Sequence, residues 1–334
     1  MKISILGTGQ WGTSLAQVLT DAGNEVLMWG RNSDVVNQIN KEHKNEKSLP
    51  GIELAQSITA TSNIKEAFSE TGAILLAIPA QSLRENLTTW GEDFPKYLPV
   101  ISSLKGVELG TQLRMTEVIQ EVLKIPADQI SIITGPNLAR EVVLRQPVGA
   151  VAASESQELA DLTAQIFSAP YFRVYTSTDV IGCELAGAAK NVIALAVGMA
   201  IGLGFGENTQ ALVITRGLSE LTRLGMARGA NPLTFVGLAG VGDLLATCGS
   251  ALSRNRTFGE ALGKSGSMDN ALTSVSSTVE GVATASSIVE LAHSVGIGVP
   301  IMEAVAEVVT NKITPTEAMI QLMNEATGAE IEEQ

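Results

Sequence analysis

The chain has 334 residues, 45% of them hydrophobic and 17% charged, with a formal net charge of −13. That composition excludes disordered and fibrous classes and supplies apolar material for two cores, while the acidic excess excludes a broad nucleic-acid-binding or anionic-membrane-binding face. Any anionic ligand must then be held by a local cluster of Lys, Arg and backbone N–H groups. Cys183 and Cys248 lie far apart inside apolar segments, so neither a disulfide framework nor a metal site is expected, and a reducing cytoplasm fits.

The first apolar run, 2–6, reads as a strand. Gly7-Thr8-Gly9-Gln10-Trp11-Gly12 follows it and opens a helix over 11–22, which Gly23 ends in a left-handed turn before a second strand over 25–29. The same glycines interrupt any signal-peptide helix at this end. Strand, glycine turn, helix and strand in that order predict a dinucleotide site, because the missing side chains let a pyrophosphate approach the helix N-terminus. Gly7, Gly9, Gln10, Trp11 and Gly12 are its candidate residues. After the second strand, where an NAD-selective enzyme usually carries an acid, the chain has Gly30-Arg31-Asn32. Arg31 suits a 2′-phosphate, which favours NADP with NAD also accepted; its other reading is a solvated loop charge.

Further strands are expected over 73–78, 100–102, 130–134 and 150–153, alternating with amphipathic segments. This pattern predicts an α/β, doubly wound, Rossmann-like sheet over residues 1–178, with function at the carboxyl ends of its strands. Three such ends carry irregular backbone: Ile78-Pro79-Ala80, Ser103-Leu104-Lys105-Gly106 and Thr134-Gly135-Pro136-Asn137. Lys105 holds a substrate oxygen or phosphate if its strand ends in the crevice, and is an ordinary surface lysine if it ends at the rim. Gly135 and Asn137 offer N–H and amide donors, or simply form a tight turn.

From 179 to the end the periodicity is helical throughout, with segments over 179–203, 207–228, 254–262, 280–294, 300–309 and 315–324, and a polar surface loop over 264–277. This predicts an all-α second domain, 179–334, opened by Thr178 and Asp179 as start signals. The uncharged run 192–205 is shorter than the roughly 20 apolar residues of a membrane span, so a buried core helix is expected. Within that helix stands Lys190, in Gly-Ala-Ala-Lys-Asn at 187–191. Burial penalises an ammonium and lowers its pKa toward the range of a general acid/base, whereas the alternative, a lysine snorkelling to water, finds little polar face nearby.

Glycines at 240 and 242 precede Asp243 and let its carboxylate turn inward toward the lysine or a substrate hydroxyl. Ser253 reads as an N-cap, and Arg254 with Asn255 then present a guanidinium fork and an amide at a helix N-terminus, either a phosphate site or a capped surface helix. Glu280 reaches a cofactor amide or ribose, or is a first-turn acid. His43 and His293, the only histidines, lie in a polar loop and a helix without a local acid and ligand arrangement, which disfavours histidine-based hydride enzymes and metal sites.

Over nearly its whole length the chain closely resembles the soluble NAD(P)-dependent glycerol-3-phosphate dehydrogenase family, most specifically in Gly-Ala-Ala-Lys-Asn-Val-Ile-Ala at 187–194 and in Gly-Leu-Ala-Gly-Val-Gly-Asp-Leu with Leu-Ser-Arg-Asn-Arg between 237 and 256. The resemblance implies reversible hydride transfer between NAD(P)H and dihydroxyacetone phosphate, giving sn-glycerol 3-phosphate for phospholipid synthesis, in a cytoplasmic homodimer. It implies that Lys190 gives and takes the proton, that Lys105 and Asp243 orient the substrate, and that Arg254 and Asn255 hold the phosphate with Ser253, Gly135 and Asn137 nearby. Trp11, Arg31, Lys105, Ala139, Arg254, Thr278 and Glu280 fall at cofactor positions. The family usually reads Gly-Pro-Ser-Phe-Ala where this chain has Gly135-Pro136-Asn137-Leu138-Ala139. Rival readings are a related dehydrogenase of the 3-hydroxy-acid or 6-phosphogluconate type, and a protein that binds the dinucleotide without turnover.

Overall fold

The computed structural model describes residues 1–273 and 279–324. Its first half alternates strands and helices: β1 Lys2–Leu6, α1 Gln10–Asp21, β2 Glu25–Trp29, α2 Ser33–Glu42, β3 Thr59–Thr61, α3 Ile64–Phe68, β4 Ala73–Leu76 and α4 Leu83–Trp90. There follow β5 Val100–Ser102, α5 Met115–Leu123, β6 Ile130–Thr134, α6 Ala139–Val143, β7 Val148–Ser154, α7 Gln157–Phe167 and β8 Phe172–Ser177. The eight strands form one sheet in the order β3-β2-β1-β4-β5-β6-β7-β8. All neighbours are parallel except β6 and β7. Strand order reverses between β1 and β4, which opens a crevice beyond their carboxyl ends.

Alternation along β4 shows how the sheet is held: Ala73 and Leu75 join one apolar layer with Ile5, Leu15 and Met28, while Ile74 and Leu76 join the other with Leu83, Trp90 and Leu104. Two strands lie outside the expected set. Thr59–Thr61 is three residues long, and Phe172–Ser177 is a half-exposed edge strand, so neither shows the continuous apolar run of a buried parallel strand.

The second half is helical: α8 Val180–Gly202, α9 Glu207–Ala227, α10 Pro232–Phe235, α11 Asp243–Gly249, α12 Arg254–Ser265, α13 Met268–Leu272, α14 Glu280–Ser294, α15 Pro300–Val309 and α16 Pro315–Asn324. Two expectations change. Asp179, rather than the Thr178 hydroxyl, caps α8 by accepting from the Gly182 N–H at 2.9 Å. Of the stretch expected as a loop over 264–277, residues 274–277 lie outside the described residues, and 264–273 hold the end of α12, a left-handed turn at Gly266 and the short α13, with Ala271 buried.

Helix α8 is the axis of this half. It is long and apolar enough to cross a membrane, but 83% of its most apolar window is buried inside the protein. A second apolar stretch, Pro232–Gly249, is broken at Gly240, whose backbone is non-helical. Along one side of α8, Gly198 and Gly202 face Gly259 and Gly263 of α12, where a Cβ would run into a backbone carbonyl of the facing helix. The two backbones therefore touch, which larger side chains would prevent.

A buried acid anchors the far side. Glu220 of α9, 4% exposed, accepts from the Ile301 and Met302 N–H groups at 2.8 and 3.3 Å, at the open N-terminus of α15. Burial outweighs those two bonds and pushes its carboxyl up to about 7. A carboxyl raised on folding favours the native state below its unfolded pKa, and that contribution disappears as pH rises through about 7. The stability difference between Glu220→Gln and the parent should therefore move in the variant's favour by on the order of 3 kcal/mol between pH 4.5 and pH 8. Denaturant unfolding across that range measures it, and a flat difference would contradict it.

Candidate functional site

At the β1–α1 turn, Gly7 has φ +133°, and a Cβ there would strike the Ala77 carbonyl. A Cβ on Gly12 would strike the Gly7 carbonyl, whereas a Cβ on Gly9, the helix N-cap, would meet open space. No side chain caps α1, so its first N–H groups are left facing the crevice. Gln10 and Trp11 line that crevice, and the buried Trp11 Nε1 has no partner among the described residues. An open glycine cradle, an uncapped helix and an unpaired indole N–H fit a dinucleotide. Ala139 stands beside them, its carbonyl accepting from Ser14 of α1 at 2.8 Å.

Opposite the turn is a buried ionic cluster. Lys190 Nζ donates to Asp243 Oδ1 at 2.6 Å and to Thr247 Oγ1 at 2.7 Å. Lys105, just beyond β5, donates to Asp243 Oδ2 at 2.6 Å and to the Gly135 carbonyl at 3.2 Å. The side chains of Lys190, Lys105 and Asp243 are only 9%, 14% and 2% exposed, so water screens little of this attraction. Burial lowers the Lys190 pKa to about 8; Asp243 works against that fall, and Lys105 adds to it.

Local backbone makes this meeting possible. The turn Leu238–Gly242 is a kinked bulge with non-helical backbone at Gly240, which is pressed against the Phe235 carbonyl, and it delivers Asp243 to the first position of α11. On α8, the bare face of Gly187 admits the stem of Lys105, since a Cβ there would sit 3.3 Å from Lys105 Cγ. Behind the site, Glu184 of α8 accepts from Arg114 at 2.6 Å, from the Thr116 hydroxyl at 2.6 Å and from the Thr116 N–H at 2.9 Å. This buried clamp ties the segment after Lys105 to the helix that carries Lys190.

The third wall is the start of α12, where Ser253 caps the helix by accepting from Arg256 N. Asn255 is buried, donating to Asn191 Oδ1 at 2.8 Å and accepting from the Gly281 N–H at 2.9 Å, so α8, α12 and α14 converge on it. Arg254 and Glu280 line the same cavity, about 140 Å³ in volume, with Ser103, Lys105, Asn137, Lys190 and Asn191. Burial raises the Glu280 carboxyl while Arg254, Lys190 and Lys105 oppose the rise. A larger groove of about 750 Å³ lies on the β7–β8 edge beside Leu238 and contains none of these groups.

The cavity thus gathers Gln10, Trp11, Lys105, Asn137, Ala139, Lys190, Ser253, Arg254, Asn255 and Glu280, with Asp243 and Gly135 bonded to its lysines. Arg31 is different: it is exposed, beyond β2, and lies outside the cavity lining. Asn137 turns its amide to the Gly149 carbonyl at 3.1 Å, leaving its buried Oδ1 without a partner among the described residues. Thr278 lies outside the described residues. Sequence reasoning missed Thr247, which holds both Lys190 and the Asp243 carbonyl. Its position four residues after Asp243 on one helix was the available signal.

An open helix N-terminus on one wall and a buried amine of lowered pKa on the other are the parts a dinucleotide-dependent oxidoreductase needs. Family models narrow the class: the N-terminus of NAD-dependent glycerol-3-phosphate dehydrogenase matches residues 2–160, and its C-terminus matches residues 179–320. The chain belongs to this family. A Thermobifida fusca relative named glycerol-3-phosphate dehydrogenase (NAD(P)+) is 48% identical over 98% of both chains. One from Corynebacterium diphtheriae with the same name is 49% identical over 91% of this chain and 92% of its own. The crystal structure of glycerol-3-phosphate dehydrogenase from Coxiella burnetii superposes with a TM-score of 0.92 at 32% identity, covering 97% of this chain and 99% of that one.

Asp243→Asn removes the anion between two amines and should drop the Lys190 pKa well below 8. The pH dependence of Lys190 acylation, followed by peptide mass spectrometry, reports it. An unmoved midpoint would show that Asp243 does not set the amine's basicity.

Proposed function

We propose that this cleft catalyses reversible hydride transfer between NAD(P)H and dihydroxyacetone phosphate, giving sn-glycerol 3-phosphate. The observation that carries the reading is the Lys190 amine, buried against Asp243, in one cavity with Arg254 and Asn255 and with the start of α1. Gly7, Gly9, Gln10, Trp11 and Gly12, with Lys105, Ala139, Arg254 and Glu280, would hold the dinucleotide, which when bound would supply or accept the hydride. Arg31, beyond β2, takes the 2′-phosphate of NADP, and NAD is accepted as well.

The protein's own part is positional and acid–base. Arg254 and Asn255 hold the substrate phosphate beside Ser253, fixing the reacting carbon from a distance. Gly135 and Asn137 border the same substrate. As the carbonyl is reduced, negative charge grows on its oxygen, and the Lys190 ammonium stabilises and protonates it. In the reverse direction the neutral amine removes the hydroxyl proton. Asp243 and Lys105 keep that amine aimed, and Thr247 fixes its third direction.

The division of labour follows the chain, with residues 1–178 binding the dinucleotide and 179–334 supplying the acid–base group. The enzyme serves glycerophospholipid synthesis in the cytoplasm and works as a homodimer. No nucleic acid or stable membrane insertion enters the reading, in keeping with a net charge of −13 and a longest apolar helix that is covered by protein.

Nicotinamide absorbance with dihydroxyacetone phosphate and each cofactor tests the reaction directly. Lys190→Ala should lower kcat by about 10²-fold or more, and Arg254→Ala should raise the KM for the triose phosphate at least tenfold, the equivalent of about 1.4 kcal/mol. Reduction needs the ammonium, so its rate should fall as pH rises through about 8, while oxidation should rise over the same range. Absence of turnover with either cofactor, or full activity in Lys190→Ala, rejects the reading.

A further inference from the structure

The segment between α2 and β3 contains a polar side chain that the chemistry above leaves unused. Asn45 is wholly buried. Its Nδ2 donates to the Thr8 carbonyl at 2.9 Å and to Thr13 Oγ1 at 2.9 Å. Ser48 Oγ donates to the same Thr8 carbonyl at 3.2 Å. The two donors fix the sense of the amide, because the reverse orientation would set Oδ1 against the Thr8 oxygen. Asn45 is itself held in place, since its carbonyl accepts from the Ser48 and Leu49 N–H groups at 3.1 and 2.7 Å and Leu49 is fully buried.

Thr8 lies between Gly7 and Gly9, residues whose missing side chains leave the turn little of its own to hold it. In a trans peptide the carbonyl of one residue and the N–H of the next point in opposite directions. Drawing the Thr8 carbonyl toward Asn45 and Ser48 therefore turns the Gly9 N–H the other way, away from both side chains, on a residue with space around it, since a Cβ on Gly9 would meet nothing within 4 Å. Thr13, in the first full turn of α1, is gripped by the same amide, so the turn and the helix start are held as one piece.

We infer that Asn45, seconded by Ser48, is a positioning residue that aims the Gly9 N–H of the glycine turn at the dinucleotide pyrophosphate. The inference rests on the dinucleotide reading of that turn. It predicts a loss confined to ligands that carry a pyrophosphate.

Calorimetric titration of ADP-ribose, which has the pyrophosphate, and of adenosine 2′-monophosphate, which lacks it, separates the possibilities. Asn45→Ala should weaken ADP-ribose by about tenfold and Ser48→Ala by about threefold, the scale of one strong and one longer hydrogen bond. Affinity for adenosine 2′-monophosphate should stay within about twofold, and in turnover the dinucleotide KM should rise while kcat holds within about threefold. Unchanged ADP-ribose affinity in folded Asn45→Ala, or equal losses for both ligands, overturns the inference and leaves the dinucleotide reading intact. Failure of the parent protein to bind ADP-ribose overturns both. If Asn45→Ala does not fold, Ser48→Ala, which keeps the amide, decides by the same two ligands.

Discussion

Two ammonium groups out of water repel each other strongly unless an anion stands between them, and here the anion is Asp243. One carboxylate oxygen takes Lys190 and the other takes Lys105. One lysine follows a strand of the sheet, while the other sits in the middle of the longest helix. The carboxylate therefore joins the two halves of the chain at the point where their chemistry must meet. Removing it would leave buried like charges whose cost exceeds that of most single substitutions.

Holding that carboxylate in place requires unusual backbone on both sides. The bulge at Leu238–Gly242 brings Asp243 to the start of α11, and Thr247, one turn later, locks the lysine and the Asp243 carbonyl together. Across the cavity, the glycine contact between α8 and α12 sets how far Lys190 lies from the Ser253-Arg254-Asn255 corner. Backbones in direct contact cannot slide as longer side chains can. The Asn255 bonds to Asn191 and to Gly281 then fix the rotation of α12 about that contact. In the proposed reaction, a substrate anchored at one end and protonated at the other would depend on this spacing, because small misplacements of reacting groups cost large factors in rate.

Much of the architecture is legible from local pattern. Apolar runs locate six of the eight strands, and the start of α12 and the whole of α14, α15 and α16 follow from caps and periodicity. The strands that escape are the ones with least burial, β3 and the edge strand β8. Site residues that announce themselves do so by chemical contrast: a lysine among alanines, an aspartate after glycines. What cannot be read is pairing at a distance. Arg114 with Glu184 spans 70 positions and Asn45 with Thr8 spans 37, and neither end of either pair looks unusual beside its neighbours. Such contacts exist only once the sheet and the helices have packed.

The same cluster that tunes the amine also limits how stable the fold can be. Burial alone would carry the Lys190 pKa further down and favour the neutral amine. Asp243 pulls it back, Lys105 tempers that pull, and the balance comes to about 8. At that value both protonation states are populated near neutrality, which is what the proposed role of Lys190 in both directions of the reaction requires. The cost is a set of desolvated charges that an apolar packing of equal volume would avoid. The fold carries that cost beside a wholly apolar stretch of α8, where Val192, Ile193 and Leu195 are fully buried. Placing the charges one turn from this buried stretch keeps water from the amine without loosening the helix that holds it.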